Sequence, residues 1–203
     1  MKGNMTAPIK PRITPKQIVY AFIDSQNLNL GVRSQGWKLD FGKFRQYLHD
    51  KYGVERPFLF IGYKAGNEML YAQLQKMGYL LILKPTLELK DGNVKGNVDA
   101  ELVLHAMIQY KKYDKAIIVS GDGDFYCLVE YLEDKGKLLY VMAPNKHYSS
   151  LLRKYSSYVV RVDWLRNSLE YKKTGISGQS KKTLGLSSHR DTASITKKRR
   201  KSR

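Results

Sequence analysis

Six short and almost continuously apolar runs are the feature that most constrains what this chain can fold into. Continuous apolar runs are typical of strands that are buried on both faces of a parallel sheet, because a strand with one wet face alternates between apolar and polar residues. The predicted strands are 18–24, 57–63, 79–84, 115–120, 137–142 and 158–162.

Stretches with helical periodicity separate these runs, and this alternation predicts a three-layer α/β/α fold with a mostly parallel central sheet. Segment 86–96 is an exception. Its Asp91-Gly92 pair is a tight-turn signal between two short arms, so a small hairpin or flap is predicted there. The predicted helices are 40–51, 67–77, 98–110, 125–135, 149–155 and 164–171.

The positive charge of the chain is concentrated towards its ends. The 203 residues include 36 Lys and Arg against 18 Asp and Glu, a formal net charge of +18 that indicates a polyanionic partner. Segment 172–203 has 11 Lys and Arg and one Asp, is rich in Ser, Thr and Gly, and shows no apolar periodicity. We therefore predict a basic N-terminal extension (1–16), one α/β domain (17–171) and a disordered basic C-terminal tail (172–203).

Three functions are possible for the basic tail. It is interpreted here as an arm that contacts RNA phosphates, and a nuclear address or a solvated segment that aids solubility are the alternatives.

The composition also excludes several classes of protein. The longest apolar stretches fall far short of the roughly 18 residues that span a bilayer, and 1–16 has no continuous apolar run of the kind found in a signal peptide. Cys127 is the single cysteine, so neither an intrachain disulfide nor a cysteine-based zinc site can form. We expect a soluble, cytoplasmic protein with no membrane contact, and a homodimer is left open.

Acidic residues stand where two of the predicted strands end and where one helix begins. Asp24 ends the first strand, and Asp122 and Asp124 follow the fourth strand. Asp99 falls in the first turn of the helix that precedes the fourth strand. Ligands of open α/β sheets bind beyond the carboxyl ends of the strands. Asp24, Asp99 and Asp124 can each instead be a helix cap, because a carboxylate accepts hydrogen bonds from the free N–H groups of a first turn.

Several carboxylates in one crevice repel one another, by roughly 4 kcal/mol for a pair 4 Å apart at an effective dielectric constant of about 20. A cation relieves this repulsion, and oxygen ligands without cysteine or paired histidine favour Mg²⁺ or Mn²⁺ over zinc. Such a metal can activate a water and stabilise the leaving oxygen of a phosphoester. Metal-dependent phosphoester hydrolysis is the resulting hypothesis.

Three short motifs carry these acidic residues. They are Phe22-Ile23-Asp24-Ser25-Gln26-Asn27, Lys95-Gly96-Asn97-Val98-Asp99 and Ser120-Gly121-Asp122-Gly123-Asp124-Phe125. In this order and at these separations they resemble the NYN domain of LabA-like proteins, which belong to the PIN-like nuclease superfamily. The resemblance covers about 17–165. It implies a parallel-sheet α/β/α domain and a ribonuclease that uses Mg²⁺ or Mn²⁺ and an activated water to hydrolyse RNA phosphodiester bonds.

The resemblance also assigns site residues. The family's acidic and amide positions are matched by Asp24, Asn27, Asp99, Asp122 and Asp124. The chain departs from the family without losing a carboxylate: Ser25 stands where Gly is common, Gly123 where Ser is common and Cys127 where Pro often follows.

The four acidic residues are the predicted catalytic and metal-binding set. Asp24, Asp99 and Asp122 are predicted to hold the metal directly or through water. Asp124 is predicted to complete the site or to cap the helix that begins after it.

Five further residues are predicted to bind substrate or to support the ligands. Asn27 is suited to orient Asp24 or a phosphate, since an amide both donates and accepts hydrogen bonds. Ser120 is placed to hydrogen-bond a ligand carboxylate. Lys95 is a candidate phosphate contact, and Lys146 and Arg153 belong to a basic segment with tyrosines that suits single-stranded RNA.

Rival functions differ in what they require of the first motif. A haloacid-dehalogenase-type phosphatase needs an acid two residues after the strand-end Asp, where this chain has Gln26. A receiver domain needs an acidic pair near the first strand, and none precedes Asp24. The alternative that stays open is a non-catalytic RNA-binding or assembly module on the same fold.

Overall fold

The computed structural model describes the backbone of residues 17–85, 87–88, 94–95 and 98–172, and the side chains of 17–85 and 98–172. The predicted basic extension, and the basic tail from residue 173 onwards, lie outside the described residues. Within these ranges, no helix has the length and apolar character that crossing a membrane requires.

All six predicted strands are present, with bounds within three residues of those expected from the apolar runs. The strands are β1 (Val19–Asp24), β2 (Val54–Gly62), β3 (Leu80–Lys84), β4 (Leu87–Glu88), β5 (Val94–Lys95), β6 (Lys115–Val119), β7 (Leu138–Ala143) and β8 (Val159–Arg161). The α-helices are α1 (Ser25–Arg33), α2 (Phe41–Tyr52), α3 (Glu68–Lys76), α4 (Asp99–Ile108), α5 (Tyr126–Asp134) and α6 (Arg166–Leu169). Short 3₁₀ segments cover Tyr110–Lys112, Gly123–Phe125, Ser150–Tyr158 and Val162–Leu165.

The central sheet has the order β3-β2-β1-β6-β7-β8, and all of its strand pairs are parallel. From β1 the chain first builds outwards to β2 and β3, and it then returns to place β6 on the other side of β1. This reversal lies between β1 and β6, and a reversal of strand order opens a crevice at the carboxyl ends of the two strands. The sheet therefore places its ligand crevice where Asp24 and Ser120 leave the two strands.

Burial of the central strand explains the three layers. All six residues of β1 are buried. Val19 and Ile23 belong to an apolar cluster that includes residues of α1, α2, α3 and α6. Tyr20 and Phe22 belong to a second cluster with residues of α4 and α5. Successive side chains of a strand point to opposite faces, so helices cover the sheet on both sides.

The structure differs from the sequence pattern in three local elements. The pattern does not predict α1, because this short segment buries only Leu28 and Val32 and so presents little periodicity. Segment 149–155, predicted as an α-helix, is 3₁₀ structure from Ser150 onwards. In the predicted helix 164–171, only Arg166–Leu169 is α-helical, and it follows the end of a 3₁₀ segment. The predicted hairpin is confirmed at the backbone, since β4 and β5 pair antiparallel.

Candidate metal centre

A cleft of about 530 Å³ opens at the carboxyl edge of β1, β6 and β7. It is walled by the start of α1, the start of α4 and the loops that follow β6 and β7. The residues that line it are Asp24, Gln26, Asn27, Leu30, Gly31, Val98, Asp99, Gly121, Asp122, Pro144, Asn145, His147 and Tyr148.

Asp24 is a buried carboxylate at the floor of this cleft. Its side chain is 5% exposed, and its Oδ1 accepts the backbone N–H of Asn27 at 3.0 Å, which caps α1. Burial raises the pKa of Asp24, and the negative charges of Asp99 and Asp122 raise it further. A carboxylate in this state is stabilised by a nearby cation, because the cation offsets both the lost hydration and the repulsion.

Asp99, Asp122 and Asp124 form the acidic cluster of the site. One carboxylate oxygen from each lies within 4.8 Å of the others, and the first two side chains are half-buried whereas Asp124 is exposed. Ligand oxygens of Mg²⁺ lie at about 2.1 Å, so two ligands on opposite sides of one ion are about 4.2 Å apart. Small side-chain rotations, or one intervening water, would bring the three oxygens around a single ion.

The local backbone explains why these three carboxylates converge. Asp99 is the first residue of α4. Asp122 caps the 3₁₀ segment after β6, since its Oδ1 accepts the backbone N–H of Asp124 at 3.0 Å. The helix cap considered as an alternative role is therefore present for Asp24. It is wrong for Asp99 and Asp124, because the N-cap positions of α4 and α5 are Val98 and Phe125. The caps of Asp24 and Asp122 each use Oδ1 alone.

Ser120 and Asn27 tie the acidic residues together. The Ser120 side chain is 1% exposed, and its Oγ donates to Asp24 Oδ2 at 3.4 Å and accepts the backbone N–H of Asp122 at 3.1 Å. Asn27 Oδ1 accepts the backbone N–H of Gly121 at 2.9 Å. The side chain of Asn27 thus positions the loop after β6, and its backbone N–H holds the carboxylate of Asp24.

Two glycines of the last motif are required by close packing. A Cβ built on Gly121 would lie 3.1 Å from the Cβ of Tyr148, and one built on Gly123 would collide with the Ser149 hydroxyl. The loop after β7 consequently presses directly on the loop after β6. This contact closes one wall of the cleft beside Asp122.

The remaining predicted substrate-binding residues are less central. Lys146 and Arg153 are exposed, and neither is among the residues that line the cleft, although Lys146 stands between two residues that do. Asp124 belongs to the acidic cluster but does not line the cleft. The side chain of Lys95 lies outside the described part of the structure.

The sequence reasoning missed Asn145, which anchors the wall formed after β7. This side chain is 7% exposed; its Nδ2 donates to the carbonyl of Gly31 at 2.7 Å, and its Oδ1 accepts the backbone N–H of His147 at 2.8 Å. The signal was available, because Asn145 follows β7 just as Asp24 ends β1 and Asp122 follows β6. Applying the strand-end rule to a third central strand would have found it.

A family model and a curated relative place the chain in the same protein family. The NYN domain family model matches residues 19–163. Low amplitude and bright protein LabA from Synechococcus elongatus is 24% identical over 159 residues, covering 73% of this chain and 86% of LabA.

Among solved structures, the crystal structure of a protein of unknown function from Vibrio parahaemolyticus superposes with a TM-score of 0.66. It shares 22% sequence identity, and the match covers 79% of this chain and 100% of the other. At this identity the likeness bears on the fold alone, and it agrees with the parallel-sheet α/β/α architecture. With its family match spanning the sheet and all four acidic residues, the chain belongs to the NYN domain family, within the PIN-like nuclease superfamily.

Proposed function

We propose that this protein is a divalent-metal-dependent ribonuclease that hydrolyses phosphodiester bonds of single-stranded RNA. The observation that carries the proposal is the acidic cluster of Asp99, Asp122 and Asp124, which adjoins a cleft at the reversal of strand order. Nuclease chemistry in the family supports it. All donors in this cluster are carboxylate oxygens, which fit Mg²⁺ or Mn²⁺.

The chemistry that a bound Mg²⁺ or Mn²⁺ supplies is a lowered pKa for a coordinated water and neutralisation of charge on the phosphate. Asp99 and Asp122 would hold the ion from the cleft side, and Asp124 would hold it from the exposed side.

Asp24 has a different environment and a different proposed role. It lies outside the group of three oxygens, is almost fully buried, and has a raised pKa. A carboxylate with a raised pKa is a stronger base, and it is better able to accept a proton from a water in the cleft. Ser120 and the backbone of Asn27 hold its two oxygens, so the carboxylate keeps one orientation while it does so.

Labelled single-stranded RNA incubated with the protein in Mg²⁺, in Mn²⁺ and in EDTA tests the proposal. Cleavage is expected with metal and not with EDTA. Asp122→Asn preserves the size of the side chain and its capping oxygen but removes a charge. Loss of even an outer-shell partner costs about 10- to 100-fold in metal affinity or activity, so Asp122→Asn should lower cleavage by at least about 100-fold.

Two comparisons make the result specific. Asp134→Asn removes the same charge from an exposed residue at the end of α5 and should leave cleavage unchanged. Ser120→Ala should fall between the two, because it removes a hydrogen bond to Asp24 and no ligand. Full activity in carefully purified Asp122→Asn protein would refute the assignment. RNA binding without cleavage in either metal would favour the non-catalytic RNA-binding module instead.

A further inference from the structure

Trp164 is the most exposed aromatic side chain in the described part of the chain. Its side chain is 69% exposed, whereas the other tryptophan, Trp37, is 4% exposed and belongs to the core. Leu165, which follows it directly, is partly buried, and the next residues Arg166, Asn167 and Ser168 are exposed and polar. An exposed indole beside such a polar segment suits a single planar ligand better than a broad apolar partner, because protein interfaces place their aromatic anchors within an apolar core.

The indole is held in place from one side. The guanidinium carbon of Arg161 lies 4.7 Å from the centroid of the Trp164 ring, within the range of a cation–π contact. Arg161 is itself fixed by Asp163, with Nε donating to Oδ1 at 3.0 Å and Nη2 donating to Oδ2 at 2.5 Å. We call Arg161, Asp163 and Trp164 the indole platform. A ring fixed in this way loses little conformational entropy when a ligand stacks on its open face.

The indole platform is joined to the wall of the cleft. The backbone N–H of Asp163 donates to the carbonyl of Pro144 at 3.1 Å, and Pro144 lines the cleft. Arg161 pairs in register with Ala143, the residue before Pro144. Trp164 follows Asp163 directly, and consecutive Cα atoms are about 3.8 Å apart. The platform therefore stands at the carboxyl edge of the sheet, on the β7 side of the acidic cluster.

Tyr148 connects the platform with the interior of the cleft. It lines the cleft, and a Cβ on Gly121 of the opposite loop would nearly touch it. The pKa of Arg161 is raised mainly by its hydrogen bonds to Asp163, and the Tyr148 phenol adds a smaller contribution. From the acidic cluster outwards, the wall thus presents a tyrosine, then a guanidinium, then an exposed indole.

We propose that the indole platform is a nucleobase subsite, on which a base of single-stranded RNA stacks while the neighbouring backbone runs into the cleft. This inference rests on the proposed ribonuclease function and names the part of the substrate that the wall after β8 recognises. Every base has a flat π-face, so the subsite accepts any base and orients the strand without reading its sequence. Because the platform stands on one side of the acidic cluster, it would set which side of the scissile phosphate is held.

The intrinsic fluorescence of Trp164 provides a direct test. Trp37→Phe leaves Trp164 as the single tryptophan, and EDTA prevents cleavage during the titration. An unstructured RNA oligonucleotide should quench the emission to saturation, whereas a ribose-phosphate chain of equal length without bases should not. Should Trp37→Phe fail to fold, the difference between wild type and Trp164→Phe supplies the same signal.

Binding affinity gives a second readout. Stacking is worth about 1–3 kcal/mol per base, which corresponds to roughly a 5- to 150-fold weaker affinity for RNA in Trp164→Ala. Trp164→Phe should retain most of the affinity, since it keeps an aromatic face. Tyr131→Ala is the matched control, because Tyr131 is 40% exposed near the end of α5, which runs away from the carboxyl edge of the sheet.

The outcomes separate this inference from the proposed function. Base-dependent quenching and weaker binding by Trp164→Ala support the subsite even in a protein that cleaves no RNA. Unchanged affinity in Trp164→Ala, or equal quenching by the base-free chain, overturns the subsite even where cleavage is normal. No binding of RNA at all overturns both proposals.

Discussion

Replacement of Asp122 by asparagine should stabilise the metal-free protein. The oxygens of Asp122, Asp99 and Asp124 lie within 4.8 Å of one another. Each such pair repels by about 3 kcal/mol at an effective dielectric constant of about 20. Solvent lowers this value at the exposed Asp124, so we expect a net gain of about 1–3 kcal/mol in the free energy of unfolding. The capping bond at 3.0 Å survives, because asparagine retains an acceptor oxygen.

Thermal unfolding measures this gain. For a chain of this size, 1 kcal/mol shifts Tm by about 2–4 °C, so Asp122→Asn should unfold roughly 2–12 °C above wild type in EDTA. Metal should reverse the order. A ligand at 100 times its Kd stabilises by about 2.7 kcal/mol, and wild type should gain this in Mg²⁺ or Mn²⁺ while the variant gains much less.

Asp134→Asn serves as the control for net charge. It removes one negative charge from a chain of net charge +18, at an exposed residue that pairs with Lys135 at 2.8 Å. An exposed pair contributes at most about 1 kcal/mol, so Tm should stay the same or fall slightly, with an unchanged response to metal. The reasoning fails if Asp122→Asn is no more stable than wild type in EDTA, or if both gain equally from metal.

Three other regions of the molecule have testable consequences. Removal of 172–203 deletes no proposed metal ligand. If this tail contacts four or five RNA phosphates, the slope of log K for RNA binding against log salt should flatten by about three. Identical slopes for the full-length and truncated proteins would exclude an RNA arm. Gly31→Ala should lower Tm, because the new Cβ would lie 2.5 Å from the Pro144 Cβ and overpacking costs about 1–3 kcal/mol. Gly42→Ala is the control and should not lower Tm, because the nearest atom to its new Cβ is at 3.2 Å. Burial raises the pKa of Asp24 above 3.8, so the contribution of this residue to stability falls as the pH rises from that value. The free energy of unfolding, measured with urea in EDTA, should therefore fall less with rising pH in Asp24→Asn than in wild type.

Much of the architecture follows from local sequence. The apolar runs predict all six strands of the sheet, because a strand covered by helices on both faces needs apolar side chains at successive positions. Helix α1 is not predicted from the apolar pattern, because its two buried residues are too few to give a periodic signal. Segment Ser150–Tyr158 escapes prediction for another reason, since amphipathic spacing does not separate α from 3₁₀ structure over so short a length.

The acidic residues were identifiable from the motifs, but their arrangement was not. The sequence predicts that Asp24 and Asp122 each lie at the end of a strand. Their proximity depends on β6 returning to lie beside β1 rather than β3, which is decided by how the helices on the two faces pack. Burial of Asp24, and hence its raised pKa, arises only when the surrounding loops close over it.

The arrangement of the wall after β7 and β8 depends on tertiary structure. The sequence places Asn145 after a strand end, but its position is fixed by a hydrogen bond to the carbonyl of Gly31, a residue 114 positions away. The sequence predicts Trp164 as an apolar residue of a helix. In the structure its ring is exposed, because the backbone N–H of Asp163 donates to the carbonyl of Pro144 and the Asp163 carboxylate holds Arg161 against the ring. Sequence patterns report which side chains prefer burial, whereas these positions depend on which distant backbone groups are left to accept a hydrogen bond.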